Sequence, residues 1–461
     1  MNTKTAKTSE EEPLYHNTHN PLLPLRHHMP DVEAHVMSDG KLYLYGSYDA
    51  CKKEYCSNFY RVASTEDMEN WKVSDKIMEG TDVAWFNENA CVEASQGEVT
   101  PFIRRMLEEM EKNPELDYFG STVEKEQKAL LYAPDCLEKD GKYYLYFCME
   151  DGSEGVAVSE HPEGPFGSFV QLPCMGIDPA IFWDDDGKVY YYWGQFAANG
   201  VELNEDCCSF DSEKVVHGLV TEQEHYFHEG FSMRKIGDIY YAVFADIEHG
   251  KPTSLGYATA KSPLGPFVYG GVIIDNAGCD PSTWNNHGSI ECFQGQWYVF
   301  YHRSSRNSKI NRRVCAEKIE ILPDGKIPEV RMTSQGPGGP FELGESIYGF
   351  QACGCFGECY IAYDAYHEEE YLRVIKDGDR AVFRYLSLKT LPRKLEIQSL
   401  GSAEIEILFN QVSVGSGEVK KDGKTIFLLD CSCVDRPQAE IELIFRHVKG
   451  AGLKSIVFYA S

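Results

Sequence analysis

The chain has 461 residues, with Lys+Arg 44 against Asp+Glu 72 and a formal net charge of -28. That length is too great for one compact core and points to about two or three domains, while the negative charge would repel phosphate backbones and anionic lipid, which argues against nucleic-acid and membrane partners. The 16 cysteines are irregularly spaced and lack the paired spacing of a zinc site, so they read as reduced, small apolar residues.

The first residues, MNTKTAKTSEEEPLYHNTHNP, contain no apolar core of a signal peptide, and no apolar run approaches the roughly 20 residues that span a bilayer. A cytoplasmic protein with a short tail over residues 1–17 is the expectation. Downstream, five segments share one pattern: DGKLYLYGS (39–47), DGKYYLYFC (140–148), DGKVYYYWG (186–194), IGDIYYAVF (236–244) and QGQWYVFYH (294–302). Their aligned tyrosines, Tyr43, Tyr144, Tyr190, Tyr240 and Tyr298, are spaced by 101, 46, 50 and 58 residues. After the first interval these spacings match a four-stranded propeller blade, and each copy opens on a Gly-containing turn and continues in aromatic and β-branched residues. The fold class is therefore all-β, a five-bladed β-propeller over residues 18–335.

The long first interval holds an insertion at about 78–130, in which TPFIRRMLEEMEKNPE carries an N-cap Thr100, Pro101 at the first helical position and apolar residues at helical spacing. A helix-bearing loop over one blade is predicted there. VAVSEHPEGPF (156–166) and YATAKSPLGPF (257–267), with YRVASTEDMENW (60–71) as a weaker copy, fit third strands followed by an outward turn.

Ahead of the five repeats stand Asp31, Asp135, Asp178, Glu229 and His287. The innermost strands of a propeller begin on one face near its axis, so these side chains should converge on a single funnel. Crowded carboxylates repel, which raises the pKa of at least one of them, as a general acid requires. Acidic residues before strands also serve as turn and cap groups, and that reading stays open for the aspartates. Glu229 is different, because glutamate forms turns poorly and here it adjoins Gly230. The run Asp184, Asp185, Asp186 reads as a hairpin turn, and HYFHE (225–229) lacks the spacing of a zinc-protease helix. After the Gly/Pro-rich stretch 333–345, which reads as a linker, short alternating segments such as EIEILFN and EIELIFRH predict a β-sandwich over 336–461.

NPLLPLRHHMPD, YAPD, IDPAIFWDDDGK, HEGFSMRK and NNHGSIECFQGQWYVFYHR, taken in order over about residues 18–335, resemble glycoside hydrolase family 43. The resemblance implies an inverting enzyme that releases xylose or arabinofuranose, with Asp31 as general base, Glu229 as general acid and Asp178 tuning that acid. The two catalytic carboxyl groups of an inverting glycosidase stand roughly 6.5–9.5 Å apart. By the same resemblance Asp135, His287, Arg312 and Phe231 are placed near the substrate, with Arg312 reaching sugar hydroxyls. His287 would organise water or hold a calcium on the axis, the alternative being a hydrogen-bonded buried histidine. Trp85 is either a platform for a sugar ring or a packed core residue. Val32, Tyr132 and Phe231 depart from the common family pattern, which puts the substrate rather than the reaction in doubt. The C-terminal part resembles a family 6 carbohydrate-binding module. An exo-acting β-xylosidase or α-L-arabinofuranosidase is the resulting expectation, with no cofactor required. The alternatives are an endo-arabinanase and a non-catalytic sugar-binding propeller.

Overall fold

Antiparallel strands carry most of the chain in the computed structural model, which is described here over residues 13–51, 53–88, 126–421 and 423–461. Five consecutive sheets come first. Their innermost strands are Glu33–Val36, Asp135–Lys139, Ala180–Trp183, Phe227–Ile236 and Ser289–Phe293. Each innermost strand touches the next, and the fifth touches the first, so the sheets close into a ring. This is the predicted five-bladed propeller. The tyrosine-bearing repeats form the second strand of every blade, as in Val189–Trp193 of blade three. The predicted third strands are Phe59–Thr65, Ser153–Ser159 and Ser254–Ala260.

The second strands read VYYYW rather than alternating because a blade inside the ring is covered on both faces. Tyr146, Tyr191 and Trp193 pack between blades two and three, and Tyr192, Phe231 and Phe244 between three and four. Tyr241, Tyr257 and Tyr301 fill the next gap. Each fully buried side chain of this size stabilises the ring by about 1.5–3 kcal/mol relative to exposure.

Ring closure uses the N-terminal segment. Leu22 N donates to Val314 O at 3.0 Å, tying the approach to blade one onto the last strand of blade five. Asn20 is fully buried. Its Nδ2 donates to Ala316 O, Glu317 Oε1 and Thr333 O at 3.0–3.1 Å, and its Oδ1 accepts from Ala316 N at 2.9 Å.

The C-terminal part is sandwich-like, and two long strands run through both of its halves. Lys394–Phe409 and Gln438–Tyr459 pair with each other, then with Arg380–Ser387 and Val412–Val419 in one half and Gly423–Leu428 and Ser346–Tyr348 in the other. They bend at Gly401 and Gly450, both left-handed, where a Cβ on Gly401 would stand 2.2 Å from Gly450 O. Leu395, Ile405, Phe409, Ile441 and Phe458 fill the core between the halves.

The stretch 333–345 differs from the free linker its composition suggests. Gly and Pro serve here to fit the chain tightly against its neighbours. Thr333 bonds to Glu317, Gln335 N donates to Arg384 O at 2.7 Å, and Gly338 N donates to Thr18 O at 2.8 Å. It is a strap packed between propeller and sandwich. The predicted helix at TPFIRRMLEEMEKNPE lies outside the described residues.

Asn20 makes four buried hydrogen bonds, and removing it strands their partners, each at about 1–3 kcal/mol if left unsatisfied. Asn20→Ala should lower the melting temperature by on the order of 5–10 °C, read by calorimetry or circular dichroism. An unchanged melting temperature would show that the N-terminal segment does not hold the ring.

Candidate active site

The start of each innermost strand marks one mouth of the ring, and a pocket of about 120 Å3 opens there, lined by residues of all five blades. Asp31 and Asp178 each sit two residues ahead of their strand in left-handed backbone, at φ 57° and 56°. Aspartate tolerates that conformation better than most residues. Glu229 belongs to the strand Phe227–Ile236 but lies where its register slips. The Glu229–Gly230 pair follows from this geometry. Gly230 has φ 71°, and a Cβ on it would stand 2.7 Å from the His287 ring. Only glycine meets both conditions, so Glu229 is presented beside His287.

The three carboxylates have different environments. Arg312 is 2% exposed and anchored by Asp49, with Nε and Nη2 donating at 3.0 and 2.9 Å, and its ring neighbour is Tyr55 at 5.0 Å. The remaining Nη1 donates to Asp31 Oδ1 at 2.8 Å, and His302 Nδ1 lies 3.3 Å from the same oxygen. Burial alone would push the Asp31 carboxyl up. The Arg312 guanidinium and His302 more than offset this and hold it well below the usual carboxylate range, so it is ionised. Asp178 has no such cation beside it. Burial first, then the charges of Glu229 and Asp31, drive its pKa well above the ordinary value. Glu229 is held by two amides, Gln195 Nε2 at 2.8 Å and Asn285 Nδ2 at 3.3 Å. His287 is buried, which lowers its pKa and leaves a neutral imidazole with Nδ1 3.7 Å from Asp178 Oδ2.

Of the residues singled out in the sequence, Asp31, Asp178, Glu229, His287 and Arg312 line this pocket. Arg312 does so as the partner of Asp31 rather than as a free donor. Three others do not line it. Asp135 lies deeper on the axis, with Oδ1 2.6 Å from His35 Nε2 and Oδ2 accepting from Ile181 N at 2.7 Å. The cause is register. Asp135 precedes its repeat tyrosine by 9 residues, against 12 for Asp31 and Asp178 and 11 for Glu229 and His287. Asp135 therefore falls beside Glu33, and Ala133 takes the pocket position in blade two. Phe231 is 1% exposed and stacks on Tyr192 at 4.5 Å, a core residue between blades. Trp85 stacks on Phe147 at 6.1 Å over Gly155, also as packing. The sequence reading missed Tyr55, Gln195, Trp284, Asn285, Lys309 and His302. Tyr55, Gln195, Trp284 and Lys309 lie at strand ends and loops where no repeat marks them, whereas Asn285 and His302 stand inside the segment NNHGSIECFQGQWYVFYHR, His302 as the last residue of the fifth repeat, with nothing there to single them out.

Calcium takes six to eight oxygen ligands. His287 has one carboxylate oxygen, Asp178 Oδ2, at 3.7 Å, and although it also feels the charges of Asp31 and Glu229, among the described residues no set of three donor atoms closes around it. The donor atoms that do gather, among the described residues, are those of Glu33, His35 and Asp135. There Arg234 already contributes a cation, its Nη2 lying 3.2 Å from Glu33 Oε2, and burial together with Asp135 pushes Glu33 up to about 7. The His287 position does not fit a protein-built calcium site, and no step below passes through a cation.

Comparison with known proteins agrees with this geometry. The family described as Glycosyl hydrolases family 43 matches residues 106–327. A β-xylosidase of Xylanibacter ruminicola is 30% identical over 245 residues, covering 44% of this chain and 74% of that protein. The chain belongs to glycoside hydrolase family 43. A xylosidase/arabinosidase of Thermoclostridium stercorarium is 28% identical over 410 residues, covering 78% of this family 43 chain and 77% of its relative. Among solved structures, a family 43 β-xylosidase/α-arabinofuranosidase from a compost microbial metagenome, bound to xylotriose in a calcium-free form, is 26% identical. It superposes with a TM-score of 0.53 over 69% of this chain and 98% of that one. The protein is thus a glycoside hydrolase on a five-bladed propeller, as its repeats and motifs imply.

If Arg312 sets the ionisation of Asp31, its loss has a defined sign. A depressed pKa keeps the carboxylate charged until the pH falls through that low value. Removing the guanidinium raises the pKa. Arg312→Gln, with folding checked by circular dichroism, should move the acidic limb of kcat/KM for an aryl glycoside upward by roughly 1–3 pH units. An unmoved limb would disconnect Arg312 from the reacting carboxylate.

Proposed function

We propose that this enzyme removes terminal xylose or arabinofuranose from short oligosaccharides with inversion, using Asp31 as general base and Glu229 as general acid. The observation that carries the reading is a single compact pocket holding one carboxylate ionised by Arg312, a second pushed toward its protonated form, and a third gripped by neutral amides. In this mechanism Asp31 accepts a proton from water as the water attacks the anomeric carbon from one face. Glu229 donates its proton to the leaving glycosidic oxygen on the other face. The C–O bond to the leaving group breaks as the bond to water forms, and the pair exchanges its protons with solvent after release.

Asp178 acts beside Glu229 without touching the bond that breaks. Its carboxyl and that of Glu229 repel, so the pair resists carrying two negative charges. His287 and Arg312 bring complementary polarity to the water side. Trp284, half-buried in the pocket wall, offers an apolar face to a sugar ring, and Lys309 stands at the rim. A compact pocket suits a chain end better than the middle of a polymer, which supports exo action. Relatives named as xylosidase/arabinosidase support the pentose. The 15 described cysteines are free thiols, in keeping with a reducing, cytoplasmic location. The sandwich is read as a carbohydrate-binding-module-like companion to the propeller.

The two roles separate by leaving group. An aryl glycoside of 4-nitrophenol leaves without protonation, whereas a xylo-oligosaccharide does not. Glu229→Gln should lose about 10²–10⁴-fold in kcat on the oligosaccharide and much less on the 4-nitrophenyl substrate. Asp31→Asn should lose comparably on both. Equal losses for Glu229→Gln on the two substrates would remove it as the acid, and full activity in both variants would favour a pocket that only binds sugar.

A further inference from the structure

The strand Ser308–Ile319 of blade five carries Arg312 and Arg313 side by side. Successive strand residues face opposite ways. Arg312 points into the pocket and holds Asp31, while Arg313, 3% exposed, points away toward the sandwich. There it meets Glu370, 5% exposed, from the sandwich strand Glu369–Arg373. Arg313 Nη2 donates to Glu370 Oε1 and, at 2.7 Å, to Leu25 O, six residues ahead of Asp31. The same Glu370 oxygen accepts from Arg306 Nε at 2.8 Å, and the Arg306 guanidinium lies 4.1 Å from the ring centre of Tyr363 on the neighbouring sandwich strand Tyr360–Asp364.

Arg306 and Asn307 form the hairpin turn of this blade, both in left-handed backbone at φ 63° and 49°. Below the turn the register slips between Ser304 opposite Arg312 and Ser305 opposite Ser308. The slip sets Lys309 at the pocket rim and Arg312 at Asp31. One carboxylate from the second domain thus bonds both arginines that fix the turn, the strand and the loop leading to the base, and offsets part of their repulsion. Without it, Arg306 and Arg313 would repel each other beneath that hairpin, and a buried cation would be left uncompensated.

We propose that Glu370 is a positioning residue for catalysis, so that the sandwich completes the active site by setting where Arg312 presents its guanidinium to Asp31. The inference rests on the reading of Asp31 as the base. Glu370 does not line the pocket, and its effect passes through Arg313 and the shared strand to Arg312, and through Leu25 to the base loop.

Two consequences distinguish this role from simple bracing. Loss of Glu370 lowers kcat while leaving KM near its original value, because the sugar-binding wall is unchanged. It also moves the acidic limb of the pH profile upward, because a loosened Arg312 depresses the Asp31 carboxyl less.

The experiment compares full-length wild type, Glu370→Gln, Glu370→Asp and Asp31→Asn with 4-nitrophenyl β-xyloside and α-L-arabinofuranoside, measuring kcat and KM separately from pH 3 to 8. Glu370→Gln is expected to lose about tenfold in kcat with KM within about twofold, and to lose activity toward the acidic end of that pH range before wild type does. Glu370→Asp, which retains the charge, should recover most of both effects, and it carries the test if the neutral variant does not fold. A lowered melting temperature with unchanged kcat and an unmoved acidic limb would overturn the proposal. Activity retained in Asp31→Asn would instead refute the base assignment, whatever Glu370→Gln does.

Discussion

Closure of five sheets into a ring is the constraint on which the rest of this structure depends. A blade in the ring is covered on both faces, so its second strand is a run of aromatic and β-branched residues. Covering the blades brings their innermost strands into contact, and residues far apart in sequence then share one mouth. Asp31 and Arg312 are 281 positions apart and hydrogen-bonded at 2.8 Å. Leu22 and Asn20, bonded to the last strand of blade five, keep that distance fixed.

Burying several carboxylates at one point creates a problem that the pocket resolves unevenly. Asp31 receives a guanidinium that is anchored on its far side by Asp49, so the pair is held in one geometry and the charge on Asp31 persists. Asp178 receives burial and like charge, and is driven toward its neutral form. A base kept ionised on one side, and on the other an Asp178–Glu229 pair that resists two charges and so keeps a proton for Glu229 to donate, is what general base and general acid work near neutrality requires. The uneven distribution of arginine, rather than the number of acids, divides the roles. The sandwich enters this arrangement through Glu370, which places the second domain inside the electrostatics of the first.

Much of this was legible in the residues. The tyrosine repeats gave the blade count, and Asp31, Asp178 and Glu229 stood out because each precedes a copy at nearly constant spacing. Asp135 looked equivalent but was three residues closer to its tyrosine than Asp31 and Asp178, and a strand advances about 3.3 Å per residue, so it dropped below the pocket. Phe231 and Trp85 could not be told from sugar-contacting aromatics, because an aromatic beside a catalytic segment reads the same whether it faces substrate or a neighbouring blade. Gln195 left no signal, and Asn285 and His302, although inside the fifth-blade segment, could not be told from its other residues, since single polar side chains acquire their meaning only once the ring is closed. The Gly/Pro stretch 333–345 misled in the other direction. Small residues that suggest flexibility also permit close approach, and Gly336 would set a Cβ 2.8 Å from Asn20.

The central claim is that ring closure leaves Asp31 ionised while the neighbouring Asp178 and Glu229 hold a proton between them in the same pocket. Infrared difference spectroscopy at neutral pH tests it most directly, by comparing the carbonyl stretch of protonated carboxyl groups in wild type, Asp178→Asn and Asp31→Asn. The account predicts that one such band shifts or disappears in Asp178→Asn and that none disappears in Asp31→Asn. Loss of a protonated-carboxyl band in Asp31→Asn, or an unchanged spectrum in Asp178→Asn, would contradict it.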